Sequence, residues 1–580
     1  MTDTTILLCT LNAKYIHASL GLRCLLANMG DLRAQTALRE FTIARQAQDV
    51  VDELLRMNPA IIGLGVYIWN ATQSCEVVRL IRQQRPAVKI VLGGPEVSHE
   101  TDSQEIVRLA DHVITGWGDL SFAKLCRALL LGPQPLMKIM AGEQPPLDQI
   151  ALPYAEYSDA DLAHRLLYVE ASRGCPFKCE FCLSSLDKTA WAFDLDLFLA
   201  GLGTLYQRGA RNFKFVDRTF NLKIDASLRI LQFFLDKLEE VASVGASGRS
   251  AGPPQARPAP SGLSAAAPIS PARDGTARRA VASGIGLSSA AHAVASVGAS
   301  LFLHFEVIPD HLPDRLKQMI ARFPPGVLQF EVGIQTFNVE VQQRISRRQD
   351  NDRTEANLRW LADASNAHLH TDLIFGLPGE SLASFAAGFD RLHALRPHEI
   401  QLGILKRLRG TPIARHTAEY AMVYDDAPPY TVRQTGAVSA GDMQRFTRMA
   451  RYWDLLANSG RFSRSLGWLM APGEPVGAPS PFQAFMDLSD WLWRATQKTS
   501  GLTPEALVDA LFDYLTVELG RDPAASRETL RADYLASGAR ASPRALQGLL
   551  PRHAKPQGVP LRPLAARQSR HGPALAEQAL

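Results

Sequence analysis

Three thiols fall within eight residues in Cys175-Pro-Phe-Lys-Cys179-Glu-Phe-Cys182, spaced C-x3-C-x2-C. Thiolates so placed hold soft metals, meaning zinc or an iron–sulfur unit. A structural zinc or an electron-transfer cluster normally closes its shell with four protein ligands, whereas a catalytic metal keeps one position open. No second Cys-x2-Cys pair exists to complete a zinc site. A [4Fe–4S] cluster on Cys175, Cys179 and Cys182 instead leaves one iron free for a small chelating molecule. The other cysteines, Cys9, Cys24, Cys75 and Cys126, are scattered in apolar or helical settings and read as buried thiols of a reducing compartment.

Such a loop needs a scaffold. The apolar run Leu166–Ala171 reads as a strand leading through Ser172-Arg173-Gly174 into the cysteines. Phe213–Asp217, Leu301–Ile308, Leu328–Gln335, His368–Phe375 and Glu399–Leu405 add five strands with helices between them, which predicts a partial (β/α)6 barrel. Functional groups of such barrels lie at the C-terminal ends of the strands. Asp217 and Glu306 are therefore candidate catalytic carboxylates, with structural ion pairing as the alternative. The basic run Leu405-Lys406-Arg407-Leu408-Arg409-Gly410-Thr411-Pro412 either meets an anionic substrate group or is a solvated charge run.

The cysteine loop resembles that of the radical S-adenosylmethionine (SAM) superfamily. The resemblance implies that SAM is the chelating molecule, bound through its amino and carboxylate groups, and that Phe181 packs near its adenine. Glu331-Val-Gly333-Ile-Gln335-Thr336 resembles the fourth-strand motif that approaches the SAM ribose, which singles out Glu331 and Gln335. Asp372-Leu-Ile-Phe-Gly376-Leu-Pro378-Gly379-Glu380 resembles the fifth-strand motif of coproporphyrinogen oxidase-like and methylthiotransferase-like members. By that resemblance Gly376, Pro378 and Gly379 form a tight turn beside the adenine.

Residues 4–131 show a second α/β pattern. Strands Thr5–Thr10, Ala60–Trp69, Lys89–Gly93 and His112–Thr115 alternate with helices near Ser19–Asn28, Ala47–Met57, Ser74–Arg85 and Ser103–Leu109. This predicts a flavodoxin-like (Rossmann-type) doubly wound sheet, whose ligands bind beyond the carboxyl ends of the strands. Asn12, His17, Tyr67, Asn70, Gly93, Gly94, Gly116 and Gly118 stand at those ends. Placed before the cysteine loop, the segment resembles the cobalamin-binding domain of the B12-dependent radical SAM family. Leu92-Gly93-Gly94-Pro95-Glu96 and Gly116-x-Gly118-Asp119 carry the resemblance, although Gly-Glu-Gly-Glu is the commoner second form there. The Asp-x-His-x-x-Gly motif that supplies a lower cobalt ligand in many B12 proteins is absent: Tyr15 stands two before His17, and the glycine comes one late, at Gly21. His17 either ligates cobalt or is a polar loop residue, in which case cobalamin is held base-off without a histidine.

At 580 residues the chain spans three or four units at about 150 residues each. The expected division is a cobalamin-binding-like domain over 1–135, a linker over 136–165, a radical SAM domain over 166–420, a mainly helical C-terminal domain over 421–540, and a basic, disordered tail over 541–580. A net charge of +4 implies no general polyanion partner, so nucleic acid is not expected. No 18-residue apolar run or signal-peptide pattern occurs, so the protein is expected in the cytoplasm, away from membranes. Residues 241–300 interrupt the barrel pattern: 42 of these 60 are Ala, Ser, Gly or Pro, too few apolar groups to offset ordering entropy. The insert opens and closes with the same heptad, Val241–Ser247 and Val294–Ser300, as an in-frame duplication would leave it.

Together the resemblances imply an enzyme with a [4Fe–4S] cluster, SAM and cobalamin, methylating an unreactive carbon through a 5′-deoxyadenosyl radical. They imply a low-potential electron donor such as flavodoxin or ferredoxin and leave the substrate unknown. Methylthiolation of tRNA is an alternative that would need three more clustered cysteines. Non-catalytic cobalamin sensing is another, with no use for the three-cysteine loop. Deleting residues 248–300 should leave the soluble yield and iron content unchanged and the melting temperature equal or higher, because closure entropy grows by only about 0.6 kcal/mol per doubling of loop length. Loss of soluble protein on that deletion would show that the insert is part of the fold.

Overall fold

A computed structural model describes residues 4–187, 189–247, 301–470, 479–539 and 541–551. Most of the insert and of the basic tail therefore lie outside the described residues. The N-terminal unit is a six-stranded, all-parallel sheet whose strands lie in the order Thr36–Thr42, Ile6–Asn12, Ile61–Gly65, Lys89–Gly93, His112–Thr115, Ile139–Ala141. Its strands are β1 (Ile6–Asn12), β2 (Thr36–Thr42), β3 (Ile61–Gly65), β4 (Lys89–Gly93), β5 (His112–Thr115) and β6 (Ile139–Ala141). Every residue of β1 is buried, as expected for a central parallel strand covered on both faces. The two strands absent from the sequence reading are the edges. β2 is half exposed and carries Arg39 and Glu40, and β6 has three residues, so neither presents a continuous apolar run. β6 also extends this sheet into the span expected to be linker.

The second unit has six parallel strands that neighbour one another in chain order: β7 (Leu167–Val169), β10 (Asn212–Phe215), β11 (Phe302–Val307), β12 (Leu328–Gln335), β13 (His368–Phe375) and β14 (Glu399–Ile404). This is the partial (β/α)6 barrel. A small antiparallel hairpin of β8 (Ser172–Arg173) and β9 (Trp191–Ala192) frames the cysteine loop.

Residues alternate along these strands with a period of two. On β12, Leu328, Phe330, Val332 and Ile334 are buried, whereas Gln329, Glu331, Gly333 and Gln335 are partly open. The apolar set belongs to the main hydrophobic core. The register places Lys214 beside His304, Glu306 beside Glu331, and Gly333 beside Asp372, so the other face carries rows of polar groups. The helix after β10 runs from Ile224 through Ser247 and so takes in the first heptad copy, at the start of the span expected to interrupt the barrel.

The C-terminal helices, from Ala440–Leu456 onward, share one core with the barrel. Phe446 stacks on Phe375 of β13 at 4.1 Å, and Trp453 meets Phe389 of the helix Leu382–His393 at 4.9 Å.

The two α/β units are joined by ion pairs, most of them buried. Arg23 binds Glu40 and Asp161, each at 2.8 Å, and Arg165 reaches Glu40 at 2.7 Å. Arg409 meets Glu96 at 2.9 Å, and Arg407 meets Glu100 at 3.1 Å. In the basic run after the sixth strand Lys406 is exposed to solvent, whereas Arg407 and Arg409 dock the barrel on the turn after β4.

Candidate functional site

Cys175, Cys179 and Cys182 open together on a cavity of about 260 Å³ at the C-terminal mouth of the barrel. The loop is tied at both ends. Cys175 N–H donates to the Asp187 carbonyl at 3.0 Å, and Glu180 exchanges backbone bonds with Ile345 and Ile413. The Glu180 carboxylate, 3% exposed, accepts from Ser346 Oγ at 2.6 Å, lies 2.9 Å from His416 Nε2, and pairs with Arg415. Burial pushes the Cys175 and Cys179 thiols up, and the Arg347 guanidinium, 3.8 Å from Cys179 Sγ, counteracts this at Cys179. Among the described residues no three His, Cys, Asp or Glu side chains converge on a point as a single ion requires. Thiolates of a four-iron cluster each hold a different iron, so they surround a cavity as these three do. Glu180→Ala should cost about 1–3 kcal/mol, because it leaves buried donors unpaired. It should lower the iron retained after reconstitution, and undiminished iron would show that the loop is held elsewhere.

The other cavity walls are Phe181 of the loop itself and, from the polar barrel face, Glu306, Glu331, Gly333, Gln335 and Asp372. Arg218 donates to both oxygens of Glu306, at 2.9 and 3.0 Å. Glu331 Oε2 accepts from Lys214 at 3.1 Å and lies 2.9 Å from His304 Nε2. Burial opposes ionisation of Glu331, but the His304 hydrogen bond and the Lys214 charge outweigh it and hold the carboxyl well below its usual range. Ionised Glu331 is acceptor-only, so His304 Nε2 carries the proton. Burial, and then the charges of Glu331 and Glu306, push Asp372 well up, and its Oδ1 accepts no hydrogen bond. A buried acceptor without a donor, facing the same cavity as three thiols, fits a chelating ligand that carries N–H or O–H groups.

Asp217 lies elsewhere. It is 3% exposed and accepts from the Ala171 N–H at 3.0 Å and the Ser172 hydroxyl at 2.6 Å, holding the turn before the cysteines. Burial pushes its pKa up to about 7. Because the folded value exceeds the unfolded one, folded protein binds more protons between about pH 4 and 7. Stability should then fall as pH rises through that window, by up to roughly 1.4 kcal/mol per unit, and level off above it. Asp217→Asn, which can still accept from Ala171 and donate to Ser172, should flatten this slope in melting curves. An unchanged slope would mean that Asp217 ionises normally.

The Gly376-Leu-Pro378-Gly379 turn also stands apart from the cavity wall. Gly376 and Gly379 have φ of +85° and +74°. A Cβ on Gly376 would meet Val432 at 2.6 Å, so this turn packs against the segment leading into the C-terminal helices.

A second cavity of about 300 Å³ lies beyond the ends of β3, β4 and β5, lined by Tyr67, Gly93, Gly94, Gly116 and Gly118 among others. At Gly94 (φ +104°) a Cβ would stand 2.5 Å from the Val66 carbonyl, so only glycine closes the turn. The remaining candidates are held inside the protein. Asn70 is fully buried and bonds Thr10, Leu11 and the Tyr67 N–H. Asn12 bonds the His17 carbonyl and Glu40. His17 turns toward the barrel: its backbone pairs with Leu166, and its Nδ1 lies 2.7 Å from the Tyr168 hydroxyl. Burial and then Lys214 lower its pKa, keeping the ring neutral.

Sequence reasoning passed over Lys214, His304, Arg218 and Arg347. The polar alternation His304-Phe305-Glu306 was a legible sign of a polar barrel face. Nothing in sequence indicated that Arg347 would reach Cys179.

Residues 6–126 match the family model of the B12 binding domain, and residues 418–556 match DUF4080, a family of unknown function. The chain thus joins a B12-binding domain to the barrel that carries the three-cysteine loop. It is 28% identical over 217 residues to an uncharacterized methyltransferase of Pyrococcus horikoshii, covering 32% of this chain and 47% of that one. It is 25% identical over 160 residues to the cobalamin-dependent radical SAM methyltransferase TokK of Streptomyces tokunonensis, covering 23% of each. The chain thus spans about half or less of these relatives' lengths. The solved radical SAM methyltransferase TsrM of Kitasatospora setae aligns over 73% of this chain and 79% of its own, at 15% identity and a TM-score of 0.49. No helix among the described residues is long and apolar enough to cross a membrane.

Proposed function

We propose that this protein is a methyltransferase that carries a [4Fe–4S] cluster, SAM and cobalamin and acts on an unreactive carbon. The observation that carries the reading is the three-cysteine cavity, which shares its hairpin with the cleft of the B12-binding domain: Arg173 is a wall of that cleft and stands two residues before Cys175. When bound, the cluster and SAM would supply a hydrogen-abstracting radical, and cobalamin the methyl group. Cys175, Cys179 and Cys182 would hold the cluster, while Asp372 and the Arg218–Glu306 pair present an acceptor and charges to SAM. The barrel rows keep their charges paired in place, so little reorganisation is needed once ligands enter. Tyr67 and the glycine turns would receive cobalamin. A low-potential donor such as flavodoxin or ferredoxin would supply the electron.

Methylthiolation of tRNA finds less support. Cys9, Cys24 and Cys126 are buried, with Cys9 and Cys126 pushed up to about 12 by burial, and no second thiol loop forms among the described residues. The test is anaerobic turnover of the reconstituted, reduced protein with SAM. Deoxyadenosine together with S-adenosylhomocysteine supports methyl transfer, whereas deoxyadenosine alone points to other radical chemistry. His17→Ala should leave the dark spectrum of bound cobalamin unchanged, because His17 faces Tyr168. An altered cobalt–nitrogen coupling in electron paramagnetic resonance would overturn that placement.

A further inference from the structure

The turn after β5 belongs to two sites. Gly116, Trp117, Gly118 and Asp119 line the N-terminal cleft, and the side chains of Trp117 and Asp119 also grip the cysteine hairpin. Asp119 Oδ2 accepts from Arg173 at 2.8 Å, and Arg173 donates to Glu170 Oε2 at 2.9 Å. The guanidinium lies 4.7 Å over the Trp117 ring. Trp117 Nε1 donates to the Asp187 carboxylate at 3.1 Å, and the Asp187 carbonyl is the one that accepts from Cys175 N–H. Between Arg173 and Cys175, Gly174 has φ +91°, and a Cβ there would stand 2.6 Å from Thr189 Oγ1, so the connecting backbone has little freedom.

The side chains of Arg173, Asp119 and Glu170 are only 14%, 7% and 15% exposed. One cation shared by two desolvated carboxylates permits few arrangements, since any shift of Asp119 leaves a buried charge unpaired. A ligand that fixes the Gly116–Asp119 turn therefore fixes the hairpin as well. We propose that Arg173 and Trp117 are positioning residues that register the cobalamin cleft to the three-cysteine loop, so that filling either site favours filling the other. The proposal rests on the cofactor reading above, and the coupling must be reciprocal.

The test titrates hydroxocobalamin into full-length protein, with and without the reconstituted cluster, and follows absorbance. Wild type should bind at least about fivefold more tightly when the cluster is present. In Arg173→Gln the two affinities should converge. Arg173→Lys keeps the charge but loses the fork that spans both carboxylates, so it should reduce the ratio. Trp117→Phe keeps a ring and removes only the Asp187 bond, and it should reduce the ratio even if Arg173→Gln folds poorly. A wild-type ratio of one, or a wild-type ratio retained in both Arg173→Gln and Trp117→Phe, overturns the proposal while leaving the cofactor reading standing. Failure of wild type to bind hydroxocobalamin in either state overturns both.

Discussion

Cys179→Ala should remove the broad charge-transfer absorbance and bring deoxyadenosine formation to background in the same preparation. Cys179 is the thiol whose surroundings are most specific: Arg347 stands 3.8 Å from its sulfur, and its neighbour Glu180 anchors the loop. Each thiolate of a three-cysteine site holds a separate iron, so no other ligand substitutes for the missing one. Cys126→Ala is the control. Cys126 is fully buried in the N-terminal core and burial pushes its thiol up to about 12, so its loss should leave iron content unchanged. Wild-type SAM cleavage by the Cys179 variant, or equal iron loss in both variants, would sink the cluster assignment.

Phe446→Ala should destabilise the barrel by about 3–5 kcal/mol, the usual cost of truncating a buried phenylalanine. Phe446 is fully buried, stacks on Phe375 at 4.1 Å and meets Phe385 edge-on at 5.0 Å. Phe375 ends β13 three residues after Asp372 of the cavity wall, so the C-terminal helices brace the strand that supplies that carboxyl group. Denaturant unfolding should show one transition at lower midpoint, with iron lost alongside it. Two separate transitions, or a loss under 1 kcal/mol, would mean that the helical region is an independent domain and that the shared core contributes little.

Element order was largely legible because long apolar strands and amphipathic helices announce themselves locally. β12 and β13 have the bounds that periodicity predicts, Leu328–Gln335 and His368–Phe375. β2 escaped because an edge strand is exposed on one side and need not be apolar, and β6 because three residues are too short to show a period. Of the candidate site residues, the three cysteines, Phe181, Glu306, Glu331 and Gln335 line one cavity, and Tyr67 with four glycines lines another. Asp217, Asn12, Asn70 and His17 satisfy backbone or interdomain partners instead. A buried polar side chain reads the same in sequence whether its partner is a ligand or the protein's own backbone.

By itself the sequence determined the thiol count and spacing, and with them the candidate metal site. It also determined the two α/β patterns and the missing histidine motif. All of these depend on local order along the chain. Only the tertiary structure decided which charges meet across it. Arg409 closes on Glu96 and Arg173 on Asp119, pairs separated by hundreds or dozens of residues and chosen by the packing of one sheet against another. Only the fold turned His17 to Tyr168 and left Asp372 Oδ1 without a hydrogen bond. The reason is physical: a side chain's partner is set by which groups burial deprives of water, and burial is a property of the folded chain.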